Sequence, residues 1–244
     1  MPHSDLWVSK RLARWSHRPC PLGAETLCCD FVVRDFLLRQ HVTVRHGAYL
    51  PHWTHSGASY AVCFRLADSL PQSVVTRWQR ERSALLAEAG DRVSLPGVQD
   101  RLRELFSERV ECFLDNGYGA CWLRQPAIAS LVANALRHFD NQRYTLHAWC
   151  VMPNHVHTVV QPLGAHTLAA IMKSWKGFTG KDANRRLKRA GEFWQAEYYD
   201  HLIRDAPDFA HSVRYVLENP SRAGLLDWPW VWASDPALVV ALAS

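Results

Sequence analysis

The stretch YTLHAWCVMPNHVHTVVQP, residues 144–162, contains two runs rich in β-branched, aromatic and other apolar residues. Such runs are typical of β-strands, and the dipeptide Pro153-Asn154 separates them. A connection of two residues suffices for an antiparallel hairpin but is far too short for a parallel crossover. The stretch therefore predicts two antiparallel neighbouring strands, over 144–152 and 155–162.

Helical and extended patterns alternate on either side of this hairpin. Such an order, with antiparallel strands, predicts an α+β fold in which the helices pack on one face of the sheet. The helix that begins after Asp205 is the best marked, because it has an N-cap residue and Pro207 in its first turn. The predicted elements are a strand at 60–66 and helices at 73–90, 125–139, 167–189 and 205–219.

The composition indicates a packed, intracellular protein. Of the 244 residues, 48% are hydrophobic, and the formal charge of +5 favours polyanionic partners only mildly. Seven cysteines without a C-x-x-C pair argue against a disulfide framework or a zinc ribbon. No signal peptide is apparent, and the apolar tail at 237–243 is too short to span a bilayer. We therefore expect a soluble cytoplasmic protein.

Two histidines, His155 and His157, stand two residues apart in the second predicted strand. Side chains at i and i+2 of a strand project to the same face, so both imidazoles point the same way. Two imidazoles so placed could bind one divalent ion and leave positions open for a substrate oxygen. The ordinary alternative for an isolated pair is that one histidine packs in the sheet and the other meets solvent.

Tyr215 and Asn219 lie one turn apart on the predicted helix at 205–219. On a helical wheel, Tyr215 lies roughly 145° from the centre of the apolar stripe of this helix. A hydroxyl nucleophile and an amide oxygen ligand placed in this way could both face a metal held by the histidines. The alternatives are a boundary tyrosine and an ordinary residue at the end of a helix.

A basic cluster occupies the predicted helix at 167–189 and is interleaved with Trp175 and Phe178. Lysine and arginine neutralise phosphates, and aromatic rings stack on unpaired bases, so the cluster is a candidate for binding DNA. A solvated helix face whose aromatic residues point into the core is an equally good interpretation. The basic residues are Lys173, Lys176, Lys181, Arg185, Arg186, Lys188 and Arg189.

Four segments of the chain, in this order, resemble the REP-associated tyrosine transposases, a branch of the HUH single-stranded-DNA nucleases. The segments are SYAVCFRLADSLP, HAWCVMPNHVH, FWQAEYYDHLIRD and HSVRYVLENPSRAGL. The resemblance implies a ferredoxin-like core in which His155, His157 and Asn219 bind the metal and Tyr215 is the nucleophile. Tyr198 and Tyr199 form a rival pair, but they lack an asparagine four residues later.

The resemblance also implies an activity. It implies a transposase-like transesterase that cleaves and rejoins single-stranded DNA at hairpin or palindromic repeats through a 5′-phosphotyrosine, with Mg²⁺ or Mn²⁺. One alternative is a metal-dependent phosphoesterase that uses water as nucleophile. Another is a DNA-hairpin-binding protein without catalysis.

The same resemblance suggests a domain division and a setting. We expect an N-terminal extension over 1–49, a catalytic domain over 50–233 and a tail over 234–244. A homodimer is possible for such a protein, and a bacterial, nucleoid-associated location is expected. The sequence does not identify the target repeat.

Overall fold

A computed structural model describes residues 43–46, 51–90, 101 and 112–235 of the chain. A five-stranded antiparallel sheet forms its centre, and a separate two-stranded hairpin precedes it. The hairpin strands are β1 (Thr43–His46) and β2 (Pro51–Thr54). The sheet strands are β3 (Tyr60–Arg65), β4 (Tyr144–Val151), β5 (His155–Pro162), β6 (Tyr199–Leu202) and β7 (Val231–Ala233).

The helices connect these strands, and the four long ones agree in position with the predicted helices. A single 3₁₀ turn, Trp122–Arg124, precedes the second long helix. Among the described helices, none is long and apolar enough to cross a membrane. The helices are α1 (Gln72–Ala89), α2 (Cys112–Asp115), α3 (Pro126–Arg137), α4 (Leu168–Arg186) and α5 (Ala206–Arg222).

The antiparallel hairpin predicted from residues 144–162 is confirmed as β4 and β5. Their register pairs Val151 with Val156 next to the turn and Tyr144 with Pro162 at the far end. A bulge between Leu146 and Ala148 shifts the pairing by one residue. Because of this bulge, the side chains of β4 change face once along the strand, as bulges generally cause.

The order of elements produces a ferredoxin-like core. The path β3–α3–β4–β5–α4–β6 is a β-α-β-β-α-β unit, and its strands lie in the order β6-β3-β5-β4. Both crossover helices cover one face, where Leu136 of α3 and Trp175 of α4 join the same apolar cluster as Phe64 of β3 and Trp149 of β4. The predicted α+β class and antiparallel sheet are confirmed.

The last helix, α5, departs from the expectation that all helices pack on one face. Val213, Val216 and Leu217 of α5 form a second apolar cluster with Cys150 and Val159, on the opposite face of the sheet. The physical reason lies in the middle strands, whose side chains are buried on both faces. Two apolar faces need two covering layers, and α3 and α4 supply only one.

Helix α5 also runs farther than predicted. It continues through Pro220 to Arg222, whereas the sequence placed its end at residue 219. Asp205 accepts a hydrogen bond from the backbone N–H of Asp208 (2.8 Å), which confirms the predicted N-cap. The last turn is held because the backbone N–H of Ala223 donates to the carbonyl of Asn219. Three further residues, including Arg222, therefore join the helix that carries Tyr215.

The predicted domain boundary at residues 49 and 50 falls between two paired strands. Trp53 of β2 pairs with Val44 of β1, so the hairpin spans the boundary. Residues 1–42 of the predicted extension and 236–244 of the predicted tail lie outside the described residues.

Tyr144 provides a test of the packed face beneath α4. Its buried hydroxyl accepts a hydrogen bond from Trp175 Nε1 (3.0 Å) and donates one to the carbonyl of Leu136 (2.8 Å). Tyr144→Phe should lower the free energy of unfolding by about 1–3 kcal/mol, because two buried groups lose their partner. Urea unfolding followed by tryptophan fluorescence measures this change. The exposed Tyr118→Phe is the control, and equal effects of both substitutions would contradict the assignment.

Candidate active site

The two histidines of β5 lie side by side on the sheet face that α5 covers. Their ring centroids are 4.7 Å apart, which confirms that both point the same way. His155 is 0% exposed and His157 is 5% exposed. The alternative in which one imidazole meets solvent is therefore wrong.

Helix α5 brings Tyr215 to this pair from the layer above. The ring of Tyr215 meets that of His157 edge to face, with centroids 5.4 Å apart. The guanidinium carbon of Arg222, two turns farther along α5, lies 4.8 Å from the centroid of the Tyr215 ring. A phenol, an imidazole and a guanidinium thus meet at the edge of the α5–sheet contact.

Asn219, four residues after Tyr215 on α5, is the fourth residue predicted for the site, and its side chain is buried. It is 2% exposed, although its polar amide would ordinarily favour solvent. Among the described residues, neither Asn219 Oδ1 nor Nε2 of His155 has a hydrogen bond of acceptable geometry. Buried polar atoms without partners are rare, because each costs free energy of desolvation. A ligand that bound these two atoms would therefore remove the cost of their burial.

Asn154, which sequence reasoning did not single out, fixes the tautomer of His155. Its side-chain N–H donates to the carbonyl of Tyr118 (2.9 Å), so its Oδ1 faces the other way. That oxygen lies 2.7 Å from Nδ1 of His155 and must accept a hydrogen bond from its N–H. The proton on Nδ1 leaves Nε2 with a lone pair. The only signal in the sequence was the position of the asparagine directly before the histidines.

The loop that holds Asn154 requires glycine. Gly119 has a φ of +92°, and a Cβ there would lie 2.6 Å from the carbonyl oxygen of Asp68. The next residue, Ala120, donates its backbone N–H to the Asp68 carboxylate (2.9 Å). The carbonyl of Tyr118 is thereby placed where Asn154 needs it.

Burial keeps both histidines neutral. It lowers the pKa of His155 well below its usual value, and the charges of His157 and Arg65 act in the same direction, while the Asn219 side chain opposes them. Burial, together with the nearby Arg222, lowers the pKa of His157 to about 3. Both imidazoles therefore offer lone pairs at neutral pH, as metal ligands must.

Arg65 is a second residue that sequence reasoning missed. It stands opposite His155 across the β3–β5 ladder and is buried. Burial lowers the pKa of its guanidinium to about 10, so the group stays charged at neutral pH. Nη1 donates to the hydroxyl of Ser69 at 3.4 Å. A fixed positive charge thus lies beside the neutral histidines.

Three residues of the predicted basic cluster have partners within the protein. Arg185 and Arg186 both form ion pairs with Asp182. Arg189 donates to the amide oxygen of Asn184 at 2.8 Å. These three guanidinium groups therefore have partners on or next to α4 itself.

The lysines of the cluster divide into two kinds. Lys176 is half-buried and donates to the carbonyl of Ala196. Burial lowers its pKa to about 8. Lys173, Lys181 and Lys188 are exposed. The exposed lysines remain candidates for a polyanionic partner.

The two aromatic residues of the cluster also differ. Trp175 was predicted to stack on bases, but it is only 3% exposed and belongs to the core. The prediction for Trp175 is wrong because its side of α4 faces the sheet. Phe178 is 59% exposed and remains available for stacking.

The rival tyrosines lie farther from the histidines than Tyr215 does. Tyr199 is opposite Cys63, which in turn is opposite His157, so two strand spacings, about 10 Å, separate the backbones of Tyr199 and His157. Tyr198 stacks on His52, with ring centroids 4.5 Å apart. The geometry therefore favours Tyr215.

The donor set predicted from the sequence is two imidazole nitrogens and one amide oxygen. Within the described ranges, no group of three or more His, Cys, Asp or Glu side chains could hold a metal ion. His155, His157 and Asn219 form a mixed N, N, O set instead. Such donors suit Mn²⁺ and, less specifically, Mg²⁺.

Comparisons with known proteins confirm the resemblance inferred from the sequence. Residues 124–219 match the family Transposase IS200 like. The chain is 31% identical over 97 residues to a Haemophilus influenzae protein described as a REP-associated tyrosine transposase, covering 34% of this chain and 55% of that one. It is 28% identical over 93 residues to a REP-associated tyrosine transposase of Escherichia coli, covering 36% and 53%. The match spans about half the length of these relatives.

The chain is also similar to solved structures, with TM-scores below 0.5. One is a REP-associated tyrosine transposase bound to a REP hairpin, with a TM-score of 0.43, 17% identity and coverage of 78% of this chain and 93% of that one. Another is a Deinococcus radiodurans protein described as a transposase, with a TM-score of 0.32, 13% identity and coverage of 72% and 95%.

Asn154→Ala should weaken the binding of Mn²⁺ by about 10- to 100-fold, because His155 loses the partner that fixes its tautomer and ring orientation. Titration of Mn²⁺ followed by electron paramagnetic resonance measures the affinity. Asn134→Ala, at an exposed position on α3, is the matched control. Equal affinities in both variants would show that Asn154 does not orient a ligand.

His157 should make the fold sensitive to acid. Its pKa is about 3 in the folded protein and 6.5 in the unfolded chain, so below about pH 6.5 the unfolded state binds more protons and stability falls towards pH 3. Between pH 7 and pH 5 this histidine alone should remove about 2 kcal/mol.

Urea unfolding in EDTA at the two pH values measures this loss. The His157→Gln variant should lose about 2 kcal/mol less than the wild type on going from pH 7 to pH 5. Exposed His138→Gln should behave like the wild type. An unchanged pH dependence in His157→Gln would refute the buried neutral state.

Proposed function

From the match of residues 124–219 to the family Transposase IS200 like, we propose that the protein is a metal-dependent single-stranded DNA transesterase. The observation that carries the proposal is the contact of the Tyr215 ring with His157, beside Nε2 of His155 and Oδ1 of Asn219, which have no hydrogen-bond partner among the described residues. The proposed nucleophile, which is half-buried, and the proposed ligands of a cation thus lie close to one another. The curated relatives that match the chain carry the name REP-associated tyrosine transposase, which supports the same activity.

The proposed metal ligands are His155, His157 and Asn219. The two imidazoles are neutral, and the tautomer of His155 is already the one that a ligand requires. Asn219 Oδ1 is a buried acceptor without a hydrogen-bond donor among the described residues. When bound, Mg²⁺ or Mn²⁺ would polarise a non-bridging oxygen of the scissile phosphate and fix its position.

Tyr215 supplies the nucleophile. A phenol has a pKa near 10 and attacks slowly unless its anion is stabilised. Its oxygen would attack phosphorus, and the bond from phosphorus to the 3′-oxygen would break. The products are a 5′-phosphotyrosine and a free 3′-OH that takes up the proton. Attack by the 3′-OH of a second strand reverses the step, releases Tyr215 and joins new ends.

Two guanidinium groups support this chemistry electrostatically. Arg222 lies against the Tyr215 ring, where its positive charge would stabilise negative charge that develops during the reaction. Arg65 is buried beside His155, where a fixed positive charge would attract a phosphodiester. Arg65 is buried and already hydrogen-bonded to Ser69, so its charge is preorganised.

A single chain contributes every member of the proposed site. Tyr215 of α5 contacts His157 of the same chain, so a second copy is not needed to bring nucleophile and histidines together. The homodimer suggested from the sequence stays a prediction. The substrate we propose is a DNA hairpin or palindromic repeat, in keeping with the name of the curated relatives.

Tyr215→Phe should abolish formation of a covalent DNA–protein adduct while leaving hairpin binding within about twofold of the wild type, because only the attacking oxygen is removed. A denaturing gel after incubation of labelled hairpin oligonucleotides with protein and Mn²⁺ measures the adduct. Tyr199→Phe, at the rival position, is the matched control and should retain the adduct.

Three other outcomes have definite meanings. Loss of the adduct in Tyr199→Phe but not in Tyr215→Phe would reassign the nucleophile. Cleavage without an adduct, equal in both variants, would identify a phosphoesterase that uses water. Hairpin binding without cleavage in Mg²⁺ or Mn²⁺ would identify a binding protein without catalysis.

A further inference from the structure

A groove with a volume of about 770 Å³ lies beside α4, at the β6 edge of the sheet. Its floor is the exposed side of α4, and its opposite wall is the chain segment 191–198. His52 of β2 closes one part of it. The groove is distinct from the histidine pair, which lies on the other face of the sheet.

Two exposed lysines and a glycine form a single ridge along the floor. Lys173, Gly177 and Lys181 are spaced four residues apart, so they follow one another along the same side of α4. Within the described part of the chain, neither lysine has an ion pair or a hydrogen bond. Their charges are therefore available to a ligand that enters the groove.

Among the described residues, no packing contact requires glycine at position 177. A Cβ at Gly180, one turn away, would lie 3.3 Å from the Trp194 ring, so packing explains that glycine. A Cβ at Gly177 would meet nothing within 4 Å among the described residues. Glycine in a helix interior is destabilising, and a residue without a side chain is used where another backbone approaches closely. The open space over Gly177, between the two lysines, would let the backbone of a ligand lie directly against α4.

The opposite wall limits where an anion can lie. Glu192 and Glu197 line it, and Glu197 lies 3.6 Å from His52 Nε2. Tyr198 stacks on His52 and has the Lys176 ammonium 5.9 Å from its ring centroid. Phosphates would follow the lysine ridge, away from the carboxylates, while the aromatic side could accept a base.

The groove is connected to the histidine pair through the backbone. The N–H of Gln195, in its wall, donates to the carbonyl of Arg65 (2.9 Å). Arg65 pairs with His155 on the next strand. Two strand spacings, about 10 Å, therefore separate the wall from His155. A strand that leaves the groove around this sheet edge would arrive at Arg65 and the histidines.

We propose that this groove binds the sugar–phosphate backbone of an unpaired DNA segment. Lys173 and Lys181 contact successive phosphate groups, and the backbone of the strand passes over Gly177. The choice of DNA rests on the proposed function. The site itself rests on the groove, the two available lysines and the unexplained glycine.

The first experiment neutralises the ridge. A fluorescent oligothymidylate without hairpin structure is titrated with protein in EDTA, so that neither cleavage nor a metal is involved. In Lys173→Gln/Lys181→Gln the salt slope should fall by about 1.4 and the affinity at 0.1 M salt by about 10- to 30-fold, since two phosphate contacts are lost. Arg77→Gln/Arg80→Gln, which removes two exposed charges from α1, should change the affinity by less than about threefold.

The second experiment separates the groove from mere stability. Gly177→Ala should raise the melting temperature by about 2–4 °C, because alanine favours the helix. The same variant should bind the oligothymidylate about 5- to 10-fold more weakly, because its methyl group obstructs the strand. Ser83→Ala, at an exposed position of α1, should raise stability slightly without any change in affinity.

The outcomes distinguish this proposal from the catalytic one. A stabilised Gly177→Ala that binds as tightly as the wild type, or a lysine double variant with an unchanged salt slope, overturns the groove even if the DNA–protein adduct forms normally. Failure of the wild type to bind oligothymidylate overturns it as well. Weaker binding in both groove variants supports it even if no adduct forms, in which case only the proposed catalysis fails.

Discussion

The two-residue turn Pro153-Asn154 is the constraint on which the rest of the structure depends. It fixes the register of β4 and β5, and its backbone also holds two other parts of the chain. The carbonyl of Asn154 accepts from the N–H of Leu66, and the carbonyl of Pro153 accepts from the N–H of Leu123. A shift of one residue here would turn His155 and His157 to the opposite face. The turn thus sets both the fold and the orientation of the histidines.

Burial of polar groups on one sheet face is the second determinant. His155, Asn154 and Asn219 are each at most 2% exposed, and two of their polar atoms lack partners among the described residues. Such a surface costs stability unless a ligand satisfies it. The same burial keeps the imidazoles unprotonated and places the charge of Arg65 where it acts strongly. The buried polar atoms that lower the stability of the fold are therefore the ones proposed to bind the metal.

Sequence reasoning succeeded where the signal was local and failed where it depended on packing. The hairpin, the N-cap of α5 and the shared face of the histidines follow from short-range geometry, and all three are confirmed. Trp175 was misassigned because charge and aromatic spacing do not reveal which side of α4 faces the sheet. Asn154 was overlooked because its role needs the carbonyl of Tyr118, which lies 36 residues earlier in the chain.

The sequence by itself determined the antiparallel strand pair, the direction of His155 and His157, and the helix on which Tyr215 and Asn219 share a side. These features repeat with the period of the backbone, so they need no knowledge of distant contacts. Only the tertiary structure decided that α5 covers the second face of the sheet, which brings Tyr215 to His157. It also decided which lysines of α4 remain available, because Lys176 is taken by the Ala196 carbonyl. Both outcomes depend on long-range packing, since a buried surface is shared between elements that the sequence keeps far apart.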